Sequence, residues 1–202
     1  LGLDLSDRDE KNASVYIVGN GVFEEGHGNW RLQYNILLDR TDSLIRLQGT
    51  YSRNPYAFTF GVNASGQVTG LMSTGRSDER AFLYDGTMKN LGNLTSASSW
   101  NDSWANAVNG SGNTVGGSFI GSVPANTGLI YVYSRGKTYD MANCLNAADK
   151  AVYQGLVAGG RSDSNDLADI NASGMIAGPG IGTSKNYNIA GKRAYLLIPV
   201  SP

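Results

Sequence analysis

The stretch "VNASGQVTG" at residues 62–70 decides how the rest of the chain is read, because it comes back. It recurs as "VNGSGNTVG" at 108–116 and "INASGMIAG" at 170–178, with a weaker echo, "NASVYIVG", at 12–19. The aligned asparagines are Asn12, Asn63, Asn109 and Asn171, spaced 51, 46 and 62 residues apart. Such spacings are those of one supersecondary unit repeated along a chain. Asn bonds its own backbone two residues on, and Gly supplies positive φ without steric cost, so Asn-x-Ser-Gly reads as a tight turn.

The surroundings of each turn repeat too. A short stretch precedes the Asn in three copies: "AFTFGVN" (57–63), "ANAVN" (105–109) and "LADIN" (167–171). A second element follows at a similar offset: "WRLQYNIL" (30–37), "RAFLYDG" (80–86), "GLIYVYSRG" (128–136) and "RAYLLIP" (193–199). A third comes after it: "SLIRLQGTYS" (43–52), "GTMKNLGNLTS" (86–96) and "GKTYDMANCLN" (136–146). These stretches are rich in aromatic and β-branched residues and bounded by Gly, Asn or Asp, which marks short strands. Asp85-Gly86 is a further hairpin signal that suits a type I′ turn. Each repeat therefore reads as four antiparallel strands.

Four such sheets in one chain is the pattern of a β-propeller. The expected fold is all-β and β-propeller-like, with about four antiparallel blades in one repeat domain over 1–202. The repeats lie near 7–56, 57–104, 105–166 and 167–202 plus 1–6. The last repeat stops at "RAYLLIPVSP" with no third element, and the chain opens with "LGLDLS", which matches "LGNLTS" at 91–96. The N-terminal strand is therefore expected to close the C-terminal blade, residues 2–5 pairing with 193–198, which removes an open sheet edge. Residues 7–11, "DRDEK", are polar where other repeats carry an apolar strand. This leaves open a three-stranded first blade, or an open or incomplete propeller.

Composition narrows the function classes. The 202 residues suffice for one domain with a sizeable core. Sixteen basic and 17 acidic residues give a net charge of −1, so no broad bias toward nucleic acid or anionic membrane exists. Gly is 27 of 202 and charged residues 16%, against about 7% and about 25% in ordinary domains, which implies many tight turns. No apolar run approaches the roughly 18–20 residues of a membrane span, and no basic-then-apolar start marks a signal peptide. Cys144 is the single cysteine, so no internal disulfide framework exists.

"RAFLYDGTMKNLGNL…WANAVNGSGNTVGGS" resembles the HAF repeat of predicted extracellular bacterial proteins. That repeat combines an (H/R)AFL strand, a GxMxDLG strand and an AxxINxxGxVVG segment. Residues 80–117 match the whole unit, 57–72 and 167–178 match the Asn-Gly part, and 193–199 match the AFL part, with Arg80 and Arg193 in place of the usual His. The resemblance implies a secreted or surface-exposed bacterial protein and brings no established reaction or catalytic residue.

The residues for chemistry are few. His27 is the single histidine, in a Gly-His-Gly loop, so a His-based metal site needs Asp or Glu partners and a Ser–His–Asp triad has one possible base. No G-x-S-x-G elbow or P-loop is present. Cys144 is expected to be a buried, unreactive thiol. The Asn-x-Ser-Gly loops lack, at the repeated positions, the carboxylates that anchor Ca²⁺. N-x-S/T sequons such as Asn63-Ala64-Ser65 and Asn93-Leu94-Thr95 arise from the repeat itself and do not imply glycosylation. Glycoside cleavage needs two carboxylates. Asp78, Glu79, Asp163, Asp166 and Asp169 are the candidates, but the two "GRSD" copies (75–78, 160–163) fall in different phases of the repeat and read as loop charges.

Aromatics supply the binding candidates. Trp100, Asp102 and Trp104 lie in "SSWNDSW", where paired exposed rings beside polar groups make a stacking platform for a sugar; the competing reading packs both rings between blades. The stretch "NAADKAVYQGLVAGG" (146–160) is the one expected helix, capped by Asn146 and ended by Gly159.

Two functional readings follow. The first is a non-catalytic extracellular or cell-surface repeat module with a structural, adhesive or self-associating role. The second is a secreted carbohydrate-active protein, either a sugar-binding module or a glycan-cleaving enzyme using loop carboxylates. The expected partners are polysaccharide or further copies of the chain, with no nucleic acid, membrane insertion, metal or cofactor. Any binding falls to the variable loops 97–106 and 146–166.

Overall fold

The computed structural model describes residues 3–5, 17–24, 31–38, 44–53, 55–76, 78–94, 102–120, 127–157, 168–181 and 192–199. The fold is all-β, with antiparallel sheets following one another in chain order and one helix. The first sheet holds β1 (Leu3–Leu5), β2 (Ile17–Glu24), β3 (Arg31–Leu38) and β4 (Leu44–Leu47). The second holds β5 (Ala57–Val62), β6 (Val68–Ser73), β7 (Glu79–Tyr84) and β8 (Met88–Gly92). The third holds β9 (Ser103–Val108), β10 (Thr114–Ile120), β11 (Thr127–Ser134) and β12 (Lys137–Asp140). The fourth holds β13 (Asp169–Ile170), β14 (Ile176–Ile181) and β15 (Lys192–Leu197). A 3-10 turn (Met141–Cys144) and helix α1 (Ala147–Val157) stand between the third and fourth sheets.

Three copies of the Asn-Gly turn join the first described strand of a sheet to the second. Gly66, Gly112 and Gly174 take φ of 75°, 76° and 79°. Each backbone N–H closes the turn onto the Asn carbonyl at 2.9–3.0 Å: Gly66 onto Asn63, Gly112 onto Asn109, Gly174 onto Asn171. The echo at Asn12 lies outside the described residues.

The glycine that ends each repeat motif has its own partner across the ladder. The register pairs Gly70 with Phe82, Gly116 with Tyr131 and Gly178 with Tyr195. A Cβ at Gly178 would stand 2.1 Å from the Tyr195 hydroxyl, and one at Gly70 1.7 Å from the Phe58 carbonyl oxygen and 2.8 Å from the Phe82 ring. The bare backbone thus makes room for an aromatic ring, and a β-bulge lies opposite it in two sheets, between Thr59 and Gly61 and between Ala105 and Ala107.

Packing runs in chain order, each sheet on the next. Ile45 and Leu47 of the first sheet meet Val62, Val68, Met72 and Phe82 of the second. Ala81, Leu83 and Leu91 meet Ala105, Val108 and Tyr131 of the third. Val115 and Ile130 meet Ile170, Ile176 and Tyr195 of the fourth, with Tyr153 of α1 and Met141 sealing the joint.

Several sequence expectations are corrected. β1 pairs with β2 (Leu3↔Gly19, Asp4↔Val18, Leu5↔Ile17) and not with the strand at 193–198. It takes the first place in the first sheet, so the N-terminal strand does not close the C-terminal sheet, and the first sheet has four strands. The Leu-Asp-Leu alternation suits either partner. Pairing with β2 closes only the short loop over 6–16, whereas pairing with β15 closes nearly the whole chain at a higher entropy cost. The polar stretch 7–11 lies outside the described residues.

Asp85-Gly86 does not form a two-residue type I′ turn. Tyr84 pairs with Met88, leaving a three-residue loop, and only Gly86 has positive φ (98°). The two-residue turn with both central φ positive is Arg135-Gly136 (51° and 81°), between the paired Ser134 and Lys137.

Candidate functional site

Buried polar side chains lie in the joints between sheets, Asn63, Ser103 and Asn109 among them. Asn63 and Asn109 are buried although they sit in turns. The Asn63 Oδ1 accepts from the N–H groups of Ser65 and Gln67, both at 3.0 Å. Asn109 does the same for Ser111 and Asn113 at 3.1 and 3.0 Å, and Asn171 accepts from Met175 at 2.9 Å. In two of the three, the other end of the amide crosses to the next repeat. Asn63 Nδ2 donates to the Asn109 carbonyl at 2.8 Å, and Asn109 Nδ2 donates to the Asn171 carbonyl at 3.2 Å. The repeated Asn is therefore both the turn former and the link between consecutive turns. With its oxygen committed to backbone N–H groups, it has little left to offer a cation.

At the opposite end of the strands lies a cluster of acids. Tyr56 donates its hydroxyl to Glu79 Oε1 at 2.7 Å. The Glu79 N–H donates to Asp102 Oδ1 at 3.0 Å. Arg80 Nη1 turns back onto the Glu79 carbonyl at 2.9 Å. Next along, Ser103 Oγ accepts from the Ala81 N–H at 2.9 Å and donates to the Gly92 carbonyl at 2.6 Å. These bonds meet a specific need: the β7–β8 register shifts between Ala81 and Phe82, and the Asp102-Ser103 pair caps the N–H groups of β7 beside that bulge.

Burial pushes the half-buried Asp102 carboxyl above its usual range, against the opposing pull of the Glu79 N–H and the Arg80 charge. Burial, then the bond to Glu79 and the nearby carboxylates, holds the Tyr56 phenol well above its ordinary value. A phenol that resists ionisation and a carboxylate tied to a strand's first N–H make a staple.

The binding candidates of the sequence separate here. Trp104 is not an exposed platform: it belongs to β9, is 6% exposed, and pairs with Gly117. A Cβ at Gly117 would stand 2.2 Å from the Trp104 ring, so the ring occupies the space that a side chain there would need. Strand β9 begins at Ser103, which removes 103–106 from the expected variable loop. Asp102 is half-buried in the staple. Trp100, His27, Asp163 and Asp166 lie outside the described residues. Asp169 is exposed and accepts from the adjacent Ile170 N–H at 2.8 Å. Asp78 uses its carbonyl to accept from Thr74 in the turn before β7.

Cys144 is exposed, against the expectation of burial. Partial burial of its thiol and the Asp140 carboxylate push its pKa up, so it stays protonated and weakly nucleophilic near neutral pH. Helix α1 starts as expected, with Asn146 Oδ1 accepting from the Asp149 N–H at 2.9 Å. Among the described residues, no group of three His, Cys, Asp or Glu gathers in a metal-holding arrangement, and no helix is long and apolar enough to cross a membrane.

No family model, curated protein or solved structure matches this chain.

Proposed function

We propose that this chain is a non-catalytic, propeller-like repeat module of the HAF kind, working outside the bacterial cell in a structural, adhesive or self-associating role. In this reading its sheets are the blades of an open propeller. One observation carries the proposal: Asn63, Asn109, Asp102 and Ser103, the polar groups that repeat or gather, each bond across a joint between sheets. A catalytic pair of carboxylates needs free oxygen atoms facing a cleft. Here one oxygen of Glu79 receives a phenol and one oxygen of Asp102 receives a backbone N–H, which ties both side chains into the joint.

The test is a glycan array run beside a panel of glycoside-hydrolase substrates on the purified chain. The expected outcome is no turnover. Turnover abolished by Glu79→Gln in a variant that keeps its melting temperature would replace this reading with the glycan-cleaving enzyme. Glycan binding without turnover, lost on Trp100→Ala, would make the module a sugar-binding one.

A further inference from the structure

We infer that Asn109-Gly110 is a spontaneous deamidation site that the joint between the third and fourth sheets holds closed, so that opening this joint leaves a permanent covalent mark. The starting observation is a glycine without a structural reason. Gly112, in the same turn, supplies a φ of 76°. Gly110 has no positive φ, is exposed, and a Cβ there would meet nothing within 4 Å. The equivalent turns carry Ala64 and Ala172 at this position. Alanine would therefore fit, yet this copy, alone of the three, places glycine after its asparagine.

That difference has a chemical consequence. A residue without a Cβ leaves its backbone nitrogen unhindered and its backbone free to turn. In deamidation the Gly110 nitrogen gives up its proton and bonds to Asn109 Cγ. The Cγ–Nδ2 bond breaks, and Nδ2 leaves with that proton as ammonia. Water then opens the five-membered imide at either of its carbonyls, which leaves aspartate or isoaspartate at position 109. Water is the single co-reactant, and nothing is oxidised or reduced.

The native joint blocks the first step. Asn109 is 4% exposed. Its Oδ1 accepts from the N–H groups of Ser111 and Asn113 at 3.1 and 3.0 Å, and its Nδ2 donates to the Asn171 carbonyl at 3.2 Å. Cγ is thus held through both of its outer atoms, and those bonds must break before it reaches the Gly110 nitrogen. Asn63 is buried but precedes Ala64, and Asn171 precedes Ala172 and is exposed. Of the three turns, the labile pair and the buried link coincide at Asn109. Once the amide is lost, the joint cannot re-form as it was. A carboxylate has no N–H to donate, so it would set a buried charge and an acceptor oxygen against the Asn171 carbonyl. Isoaspartate also puts an extra carbon into the turn's backbone.

Peptide mapping by mass spectrometry tests this on the full chain, incubated at mildly alkaline pH in buffer and in urea. It reads position 109 separately from the other Asn-Gly pair, at 20–21. The expected result is deamidation at 109 more than about tenfold faster in urea than in buffer, because structure limits access to the open form. Ile170→Ala thins the apolar side of this joint and should speed the reaction in buffer, with circular dichroism showing the variant folded. Ile170→Val takes its place if Ile170→Ala does not fold. Gly110→Ala should keep the melting temperature and slow the reaction in urea. After return from urea, wild type should recover less native signal than Gly110→Ala treated alike. Equal rates in buffer and urea overturn the inference, as does an unmodified Asn109 after urea. A rate in buffer indifferent to the Ile170 variants removes the joint as the protecting element. Equal recovery of wild type and Gly110→Ala shows that the mark leaves the joint intact and overturns its consequence.

Discussion

A methyl group at Gly116 would stand 2.0 Å from the Trp104 carbonyl oxygen and 2.8 Å from the Tyr131 hydroxyl, whereas one at Gly86 would meet nothing within 4 Å. The two glycines are needed for different reasons. Gly86 supplies a φ of 98° in a surface loop; Gly116 supplies the absence of a side chain between two strands and a ring. Gly86→Ala should then cost about 1–2 kcal/mol through backbone strain. Gly116→Ala should cost more, about 3 kcal/mol, because backbone and a buried tyrosine must shift. Urea denaturation of the two variants reads the difference, and a Gly116→Ala protein as stable as Gly86→Ala would refute the close approach. Both residues show how legible the sequence is at this scale. The turn glycines followed from local chemistry alone. The glycine–aromatic pair did not, because it joins residues from different strands, although "VTG", "TVG" and "IAG" each ended the quoted repeat.

At the scale of elements, the strands and the helix were readable for the same local reasons: aromatic and β-branched content, bounding turn residues, and Asn146 as the helix cap. Two elements were not. The partner of β1 depended on the cost of closing a loop, which its three residues do not encode. Trp104 read either as an exposed loop residue, because Ser, Asn and Asp precede it, or as a ring packed between blades; it is buried, within a strand. Asp102 and Ser103 proved to be the staple that starts β9, and the sign of burial lay across the ladder in Gly116-Gly117. The staple has a pH signature. An unfolded Asp titrates near about 3.9. In the folded chain burial raises the Asp102 value, so between the two the native state holds the proton more tightly. Stability therefore falls as pH rises through that window and is flat above it, as far as this group contributes. Asp102→Asn keeps an oxygen for the Glu79 N–H and removes the titration. Its melting temperature relative to wild type should climb between pH 3 and 7. A mutant-minus-wild-type difference that stays constant, or that falls as pH rises, contradicts the assignment.

The described sheets meet in a series of like joints, each made of an apolar face and a ring over glycine, and two of them add an Asn amide reaching forward. That is why the same motif returns: consecutive sheets present to each other the surface that the previous pair used, and stability accumulates from neighbour to neighbour. In the same series the repeated amides of Asn63 and Asn109 bond to the neighbouring sheet. The most direct test of this account compares Asn109→Ala with Asn171→Ala by equilibrium urea denaturation, at a concentration where the chain is a single copy. Asn109 is buried, accepts two backbone N–H groups and donates across a joint. Asn171 is exposed and accepts within its own turn. The account predicts a loss of about 2–4 kcal/mol for Asn109→Ala and about 1 kcal/mol or less for Asn171→Ala. Equal losses would mean that the amide link between sheets contributes nothing and that the repeated Asn is a turn former alone.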